Sequence, residues 1–374
     1  AYPFVISGLH VSYGALGLVL GISGIAGGLL QGLAGMAGRY SARFLLCAQN
    51  IGLAISSLVG GLAPGFFVFG AARFVGSVVS WPQHPIGSAA LTKRFPKRRA
   101  YALSWHVAGG SIGTAVIPLV VSALIAAYGW RVGVEFLAIP LAIGGILVGW
   151  RLRDPVRTAE PTVRRDHMKA VRSLLRSREA TGAIIAGTIA AGGRGLGTLS
   201  VFVPAYLKSG LHLHVLTVGS LFTVLLLGSI AGPVIAGWVA DRAGRRRILV
   251  VTYLVGAVAI ASFVLVGRSV IALGVVGALM GLFAFSESPL LQAVFSEGLD
   301  ETDHQGAFGY YFAISYGFGS VWTIALGEII DTLGFHWAFY VMAASFVAAS
   351  VVVLWARPPR ARTPRAPGSE ALTT

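Results

Sequence analysis

Charge is scarce in this chain. Only 11% of its 374 residues are Asp, Glu, Lys or Arg, against about 25% in an ordinary soluble domain. Acidic residues are the rarer kind, 14 against 29 basic ones. The single cysteine, Cys47, lies in an apolar run and excludes an internal disulfide or a cysteine metal cluster; a packed structural thiol is expected. No Gly-x-x-x-x-Gly-Lys-Ser/Thr loop occurs, so ATP is not expected to drive any activity. No His/Asp set has metal-ligand spacing on one face, which argues against a membrane enzyme. No metal and no cofactor are expected.

What is abundant is hydrophobic surface. Apolar residues make up 55% and mean hydropathy is +0.77, the composition of an integral membrane protein. Eleven spans are read at 13–37, 44–62, 64–91, 101–127, 132–150, 181–207, 215–240, 248–266, 270–295, 307–330 and 336–355. About 20 apolar helical residues cross a bilayer core of roughly 30 Å. Residues 1–10 are apolar but too few to cross. The net charge of +15 does not indicate nucleic acid, because the basic residues fall between spans. With alternate loops on one side, 24 of the 29 Lys and Arg share a face and three lie on the other. Lys and Arg accumulate on cytoplasmic loops, so the C-terminus is expected in the cytoplasm of a cell with this protein in its inner (plasma) membrane.

The most specific stretch joins the spans at 215–240 and 248–266. It contains Gly237, Asp241, Arg242, Gly244, Arg245 and Arg246 in the pattern Gly-x-x-x-Asp-Arg-x-Gly-Arg-Arg. This resembles the loop between helices 2 and 3, repeated between helices 8 and 9, of major facilitator superfamily transporters. The resemblance covers essentially the whole chain. It implies an all-α polytopic fold of two pseudo-symmetric bundles that work by alternating access.

The sequence itself repeats. The loop at 38–43 aligns with 241–246 at an offset of 203, Pro85 with Pro289 at 204, and Gly129 with Gly334 at 205. Offsets this constant argue for duplicated halves of like direction. The second half has six spans and the first has five. Together with a start at Ala1 rather than Met, this gives the expectation that the family's first helix is missing, 11 of 12 being present, with residues 1–10 its outer end. The expected organisation is an N-terminal bundle at 1–152, a linker with an amphipathic helix at 153–179, a C-terminal bundle at 180–356 and a disordered tail at 357–374. Met168, Val171, Leu174 and Leu175 give the linker its helical apolar spacing. In the first-half loop Gly38 replaces the family's Asp and Ser41 its Gly. A conformational latch is therefore expected from Gly237, Asp241, Arg242, Gly244, Arg245 and Arg246, with Arg39 and Arg43 as the weaker first-half counterpart.

Charges within hydrocarbon are costly and point to function. Arg73, Arg194 and Glu287 lie in the spans at 64–91, 181–207 and 270–295. By the family's count these are the fourth, seventh and tenth helices, which with the first line its central cavity. They are the candidate substrate-binding residues, since a guanidinium clamps a carboxylate or phosphonate in bidentate fashion. Glu287 paired with Arg194 could instead exchange a proton. A helix-locking ion pair is the structural alternative. His84 and His106 are further proton-coupling candidates, because imidazole titrates near neutral pH; a buried histidine satisfied by its neighbours is the plainer reading. His84-Pro85, the Arg-rich loop from Arg94 to Arg99 and His106-x-x-Gly109-Gly110 look like the fosmidomycin-resistance branch of the superfamily, which implies proton-coupled efflux of drugs or organic anions. Glu135, Glu328 and Asp331 sit near span ends and read as solvated.

Glycines at 14, 17, 21, 24, 28 and 35, at 109, 110 and 113, at 228, 232 and 237, and at 306, 309, 317, 319 and 327 form smooth faces. Small residues let helices approach closely in lipid. In the resembled family these four helices form the contact between halves. The reading is a secondary transporter, expected as a monomer, of a small organic solute. An anion is favoured because two Arg answer one acid. The alternatives are a multidrug efflux pump with an aromatic cavity (Trp81, Tyr206, Phe285), a membrane enzyme, and a sensor that binds without moving solute.

Overall fold

A computed structural model describes residues 1–31, 41–95, 98–152, 174–297, 299 and 304–356. These residues are helical and contain no strand. Ten helical stretches among them are long and apolar enough to cross a membrane. After the short α1 (Tyr2–Leu9), the first half contains α2 (Tyr13–Gln31), α3 (Ala42–Gly61), α4 (Phe66–Val79), α5 (Gln83–Arg94), α6 (Arg99–Tyr128), α7 (Trp130–Glu135) and α8 (Ala138–Arg151). The second contains α9 (Arg178–Ala190), α10 (Ser200–Ala205), α11 (Val215–Ala243), α12 (Arg245–Phe263), α13 (Val270–Glu297), α14 (His304–Phe312), α15 (Val321–Leu333) and α16 (Phe335–Trp355). Large apolar side chains such as Phe67, Val234 and Ile271 point outward, as a lipid-facing surface requires.

Four expected spans are interrupted: 132–150 divides into α7 and α8, 307–330 divides into α14 and α15, and the other two breaks bear on the site. The span read at 64–91 is α4 and α5 separated at residues 80–82. Pro82 supplies no amide and restricts Trp81 before it, so the helix stops and restarts. The span read at 181–207 breaks after α9. Gly197 adopts φ +133°, a conformation that L side chains rarely take. Thr198 Oγ1 donates to Ala191 O (3.2 Å) and Gly192 O (2.8 Å) and so satisfies carbonyls the break exposes. The remainder runs on through α10 and two wider turns, Gly195–Leu199 and Tyr206–Gly210.

The glycine faces have different destinations. Those of α2 do meet the other half. A Cβ at Gly17 would lie 2.4 Å from Thr323 O, and one at Gly28 2.6 Å from the Gly317 Cα, so backbones there are nearly in contact. The α6–α11 seam is made elsewhere: Thr223 Oγ1 donates to Ala115 O (3.2 Å) and Gly219 abuts Ser122. Gly109, Gly110, Gly113, Gly237 and Gly309 face open space. Gly228 and Gly232 fit against α13, at Ala278 O and Leu282 O, within the second half. Of the expected linker helix, residues 153–173 lie outside the described residues. Leu174 is buried and Leu175 is exposed.

Candidate functional site

The break after α9 positions Arg194. Its Nε donates to Glu287 Oε1 at 2.7 Å, its Nη2 to Gly187 O at 2.6 Å and its Nη1 to Ser315 O at 3.2 Å. Gly187 lies in the last turn of α9, where carbonyls lack their own helical partners, so unwinding the chain creates an acceptor that the guanidinium fills. The Tyr316 ring lies 4.3 Å from the guanidinium carbon, a cation–π distance. Glu287, in α13, is 0% exposed and Arg194 5%. The second carboxylate oxygen accepts from the Tyr253 hydroxyl of α12 at 3.1 Å. One neutral, hydrogen-bonded centre thus ties α9, α12, α13 and the 313–317 turn together.

Two of the three intraspan charges are therefore brought together, 93 residues apart in the chain. Arg73 is not joined to them by any hydrogen bond or ion pair among the described residues. It lies half-buried in α4, its guanidinium carbon 5.9 Å from the Tyr2 ring. Its Nε is buried without a hydrogen-bond partner. Around the pair lie three tyrosines that sequence reasoning missed. Tyr253 holds Glu287, Tyr316 stacks on Arg194, and Tyr311 carries a buried hydroxyl with no partner. Their signal is a polar aromatic residue within a span, which by itself does not distinguish a tyrosine at the centre from one in the core such as Tyr206.

His84 lies on α5, but its side chain falls outside the described residues. His106 is half-buried on α6, with its imidazole beside Gly87 of α5. Of the aromatics named for a multidrug cavity, Tyr206 is packed among Phe263, Phe335 and Phe339 and donates to Val264 O (3.2 Å). Its ring is core.

The turn between α11 and α12 is a single residue, Gly244 at φ +92°. Arg245 Nη1 donates to Glu297 Oε1 at the end of α13 (2.8 Å), and Nη2 reaches Asp241 Oδ1 at 3.5 Å. Arg246 Nη2 donates to Leu354 O of α16 (2.8 Å). Arg242 stacks on Trp238, 3.8 Å from its ring centre. Gly237, at the foot of α11, faces open space. All described partners of this turn lie in the second half. Arg43 is exposed in the first turn of α3; Arg39 lies outside the described residues.

Comparison with known proteins agrees with this architecture. The chain is 22% identical to the membrane sensor protein UhpC of Escherichia coli strain K12 over 98% of this chain and 88% of that protein. It is 26% identical to the cis,cis-muconate transport protein of Acinetobacter baylyi, over 54% of this chain and 50% of that protein. Among solved structures, a mutant form of the nucleoside transporter NupG superposes with a TM-score of 0.80 at 15% identity, covering 94% of this chain and 93% of that one. The sequence model of the Major Facilitator Superfamily matches residues 1–195 and again 183–373. With two helical halves, a seam of small residues and a buried charge centre on interrupted helices, this chain is a polytopic membrane protein that belongs to the major facilitator superfamily, a family of transporters rather than enzymes.

Proposed function

We propose that this secondary transporter moves a small organic anion together with a proton, by alternating access. The observation that carries the reading is the buried Arg194–Glu287 pair. While Glu287 is ionised, Arg194 offers no unpaired charge. A proton on Glu287 neutralises it and loosens its hold on the guanidinium. The carboxylate of a substrate then takes the vacated place on Arg194, and loss of the proton restores the original pair. Arg73, with a buried N–H that has no partner, is the second cation for a substrate in the cavity. The relative named for cis,cis-muconate transport supports this class of substrate. The excess of Lys and Arg on one set of loops supports a cytoplasmic position for the Gly244 end. His84 and His106, on adjoining α5 and α6, are secondary candidates for carrying the proton.

The test is flux of radiolabelled organic anions into proteoliposomes under an imposed pH gradient. Gradient-dependent flux lost in Arg194→Ala is expected; anion uptake that survives that substitution overturns the reading. A second reading, a sensor that binds without transfer, is favoured by the likeness to UhpC over 98% of this chain. It is distinguished by saturable binding without net flux.

A further inference from the structure

Asp331, at the end of α15 far from the Gly244 turn, looked solvated in the sequence. In the structure it is exposed yet engaged across the seam. Its Oδ1 accepts from the Tyr13 backbone N–H at 3.0 Å and its Oδ2 from Gly14 N–H at 2.6 Å. These belong to the first turn of α2, more than 300 residues away in the chain. The first turn of a helix has N–H groups with no intrahelical partner. Ser12 Oγ takes the Ala15 N–H at 3.1 Å, and Asp331 takes the two before it. A carboxylate is well matched to the positive end of the helix dipole.

A Cβ on Gly14 would lie 2.8 Å from Glu328 Oε2 and 3.0 Å from Asp331 Oδ2, so the glycine leaves the carboxylate room to sit directly on the amides. Below the contact, Ile324 fills the space at Gly21 and Gly327 lies against the Tyr13 carbonyl. Asp331 is thus a polar closure at the rim of a tightly fitted seam.

We infer that Asp331 is the clasp of this rim: its carboxylate holds the N-terminus of α2 while the face is closed and must release both amides each time the face opens. The inference rests on the alternating-access reading. It assigns a residue to one step of that cycle and involves neither the anion nor the proton. When the rim opens, Tyr13 and Gly14 N–H exchange the carboxylate for water, so each state keeps its donors satisfied and the barrier between them stays low.

The experiment places a reporter thiol in the seam, Ile324→Cys in a Cys47→Ala background. It measures labelling by a membrane-impermeant maleimide applied from the face that carries Asp331. Adding Asp331→Ala is expected to raise the labelling rate about fivefold, which at about 1.4 kcal/mol per tenfold is the ~1 kcal/mol scale of a helix cap. Asp331→Asn, which keeps an acceptor oxygen, should fall between, and Glu328→Ala should leave the rate unchanged. Equal labelling with and without Asp331→Ala overturns the clasp and leaves alternating access standing. A reporter that never labels, even under conditions of turnover, overturns both.

Discussion

Arg194 and Glu287 meet 2.7 Å apart with at most 6% of either side chain exposed. Breaking such a pair by removing one partner leaves an uncompensated buried charge and costs about 3–5 kcal/mol. Arg194→Ala and Glu287→Ala are each expected to destabilise the protein on that scale. The double variant should lose less than the sum of the two. Thermal unfolding in one detergent checks this; additive losses would show that the pair does not act as a unit.

Glu287→Gln keeps the size and the acceptor oxygen but cannot cycle a proton. Accumulation driven by a pH gradient is expected to vanish while exchange of labelled for unlabelled substrate persists. Counterflow and gradient-driven uptake on the same proteoliposomes separate the two. Gradient-driven accumulation at the native level would remove Glu287 from the coupling.

Tyr253 donates to the carboxylate from a third helix. Hydrogen bonds to charged groups contribute about 1.5–3 kcal/mol, so Tyr253→Phe should cost roughly that much stability. Thermal unfolding checks this, and an unchanged midpoint would show that the hydrogen bond adds nothing to stability.

Gly197 holds φ +133° with open space where a Cβ would stand. Gly197→Ala therefore tests backbone conformation without steric contact. A residue held in such a region costs about 1–3 kcal/mol, and the break that aims Arg194 should relax. A fall in thermal stability accompanied by weaker substrate binding is expected. Substrate affinity at the native level would mean the break has another support.

At the opposite end, Arg245 is held more closely by Glu297 than by Asp241, 2.8 Å against 3.5 Å. All three groups are substantially exposed, so the pairs add at most about 1 kcal/mol to stability. Their effect should lie in rate. Glu297→Gln is expected to change maximal transport velocity more than Asp241→Asn does, with substrate affinity little altered in both. The reverse order would return the principal role to Asp241.

Some of this was readable from residues alone. Apolar runs of bilayer length located the spans because lipid imposes one length on every crossing helix. The Asp241–Arg246 turn was legible because a cluster of Arg cannot lie in hydrocarbon. The charges at 73, 194 and 287 stood out for the same reason. The pairing of Glu287 with Arg194 is among the readings the residues offer, and the structure contains it; that Arg73 stands apart was not legible, because it depends on the packing of helices remote in sequence. Gly192, Gly193, Gly195 and Gly197 flank Arg194, but backbone freedom alone does not state that the helix will break. The glycines of α11 resembled those of α2 in spacing yet meet a different neighbour, since periodicity defines a face and not what lies against it. Asp331 looked idle because its partners are backbone amides, which carry no mark in the side-chain alphabet.

The one-residue turn at Gly244 has a mechanical result. With no slack between them, α11 and α12 form a stiff hairpin. Sliding α11 along α6 must drag α12 with it, and Tyr253 rides on α12. Because Gly228 and Gly232 of α11 also seat against the α13 backbone, the hairpin keeps the Tyr253 hydroxyl and the Glu287 carboxylate in one body, and any displacement at the α6–α11 seam transports the buried acid with its grip intact.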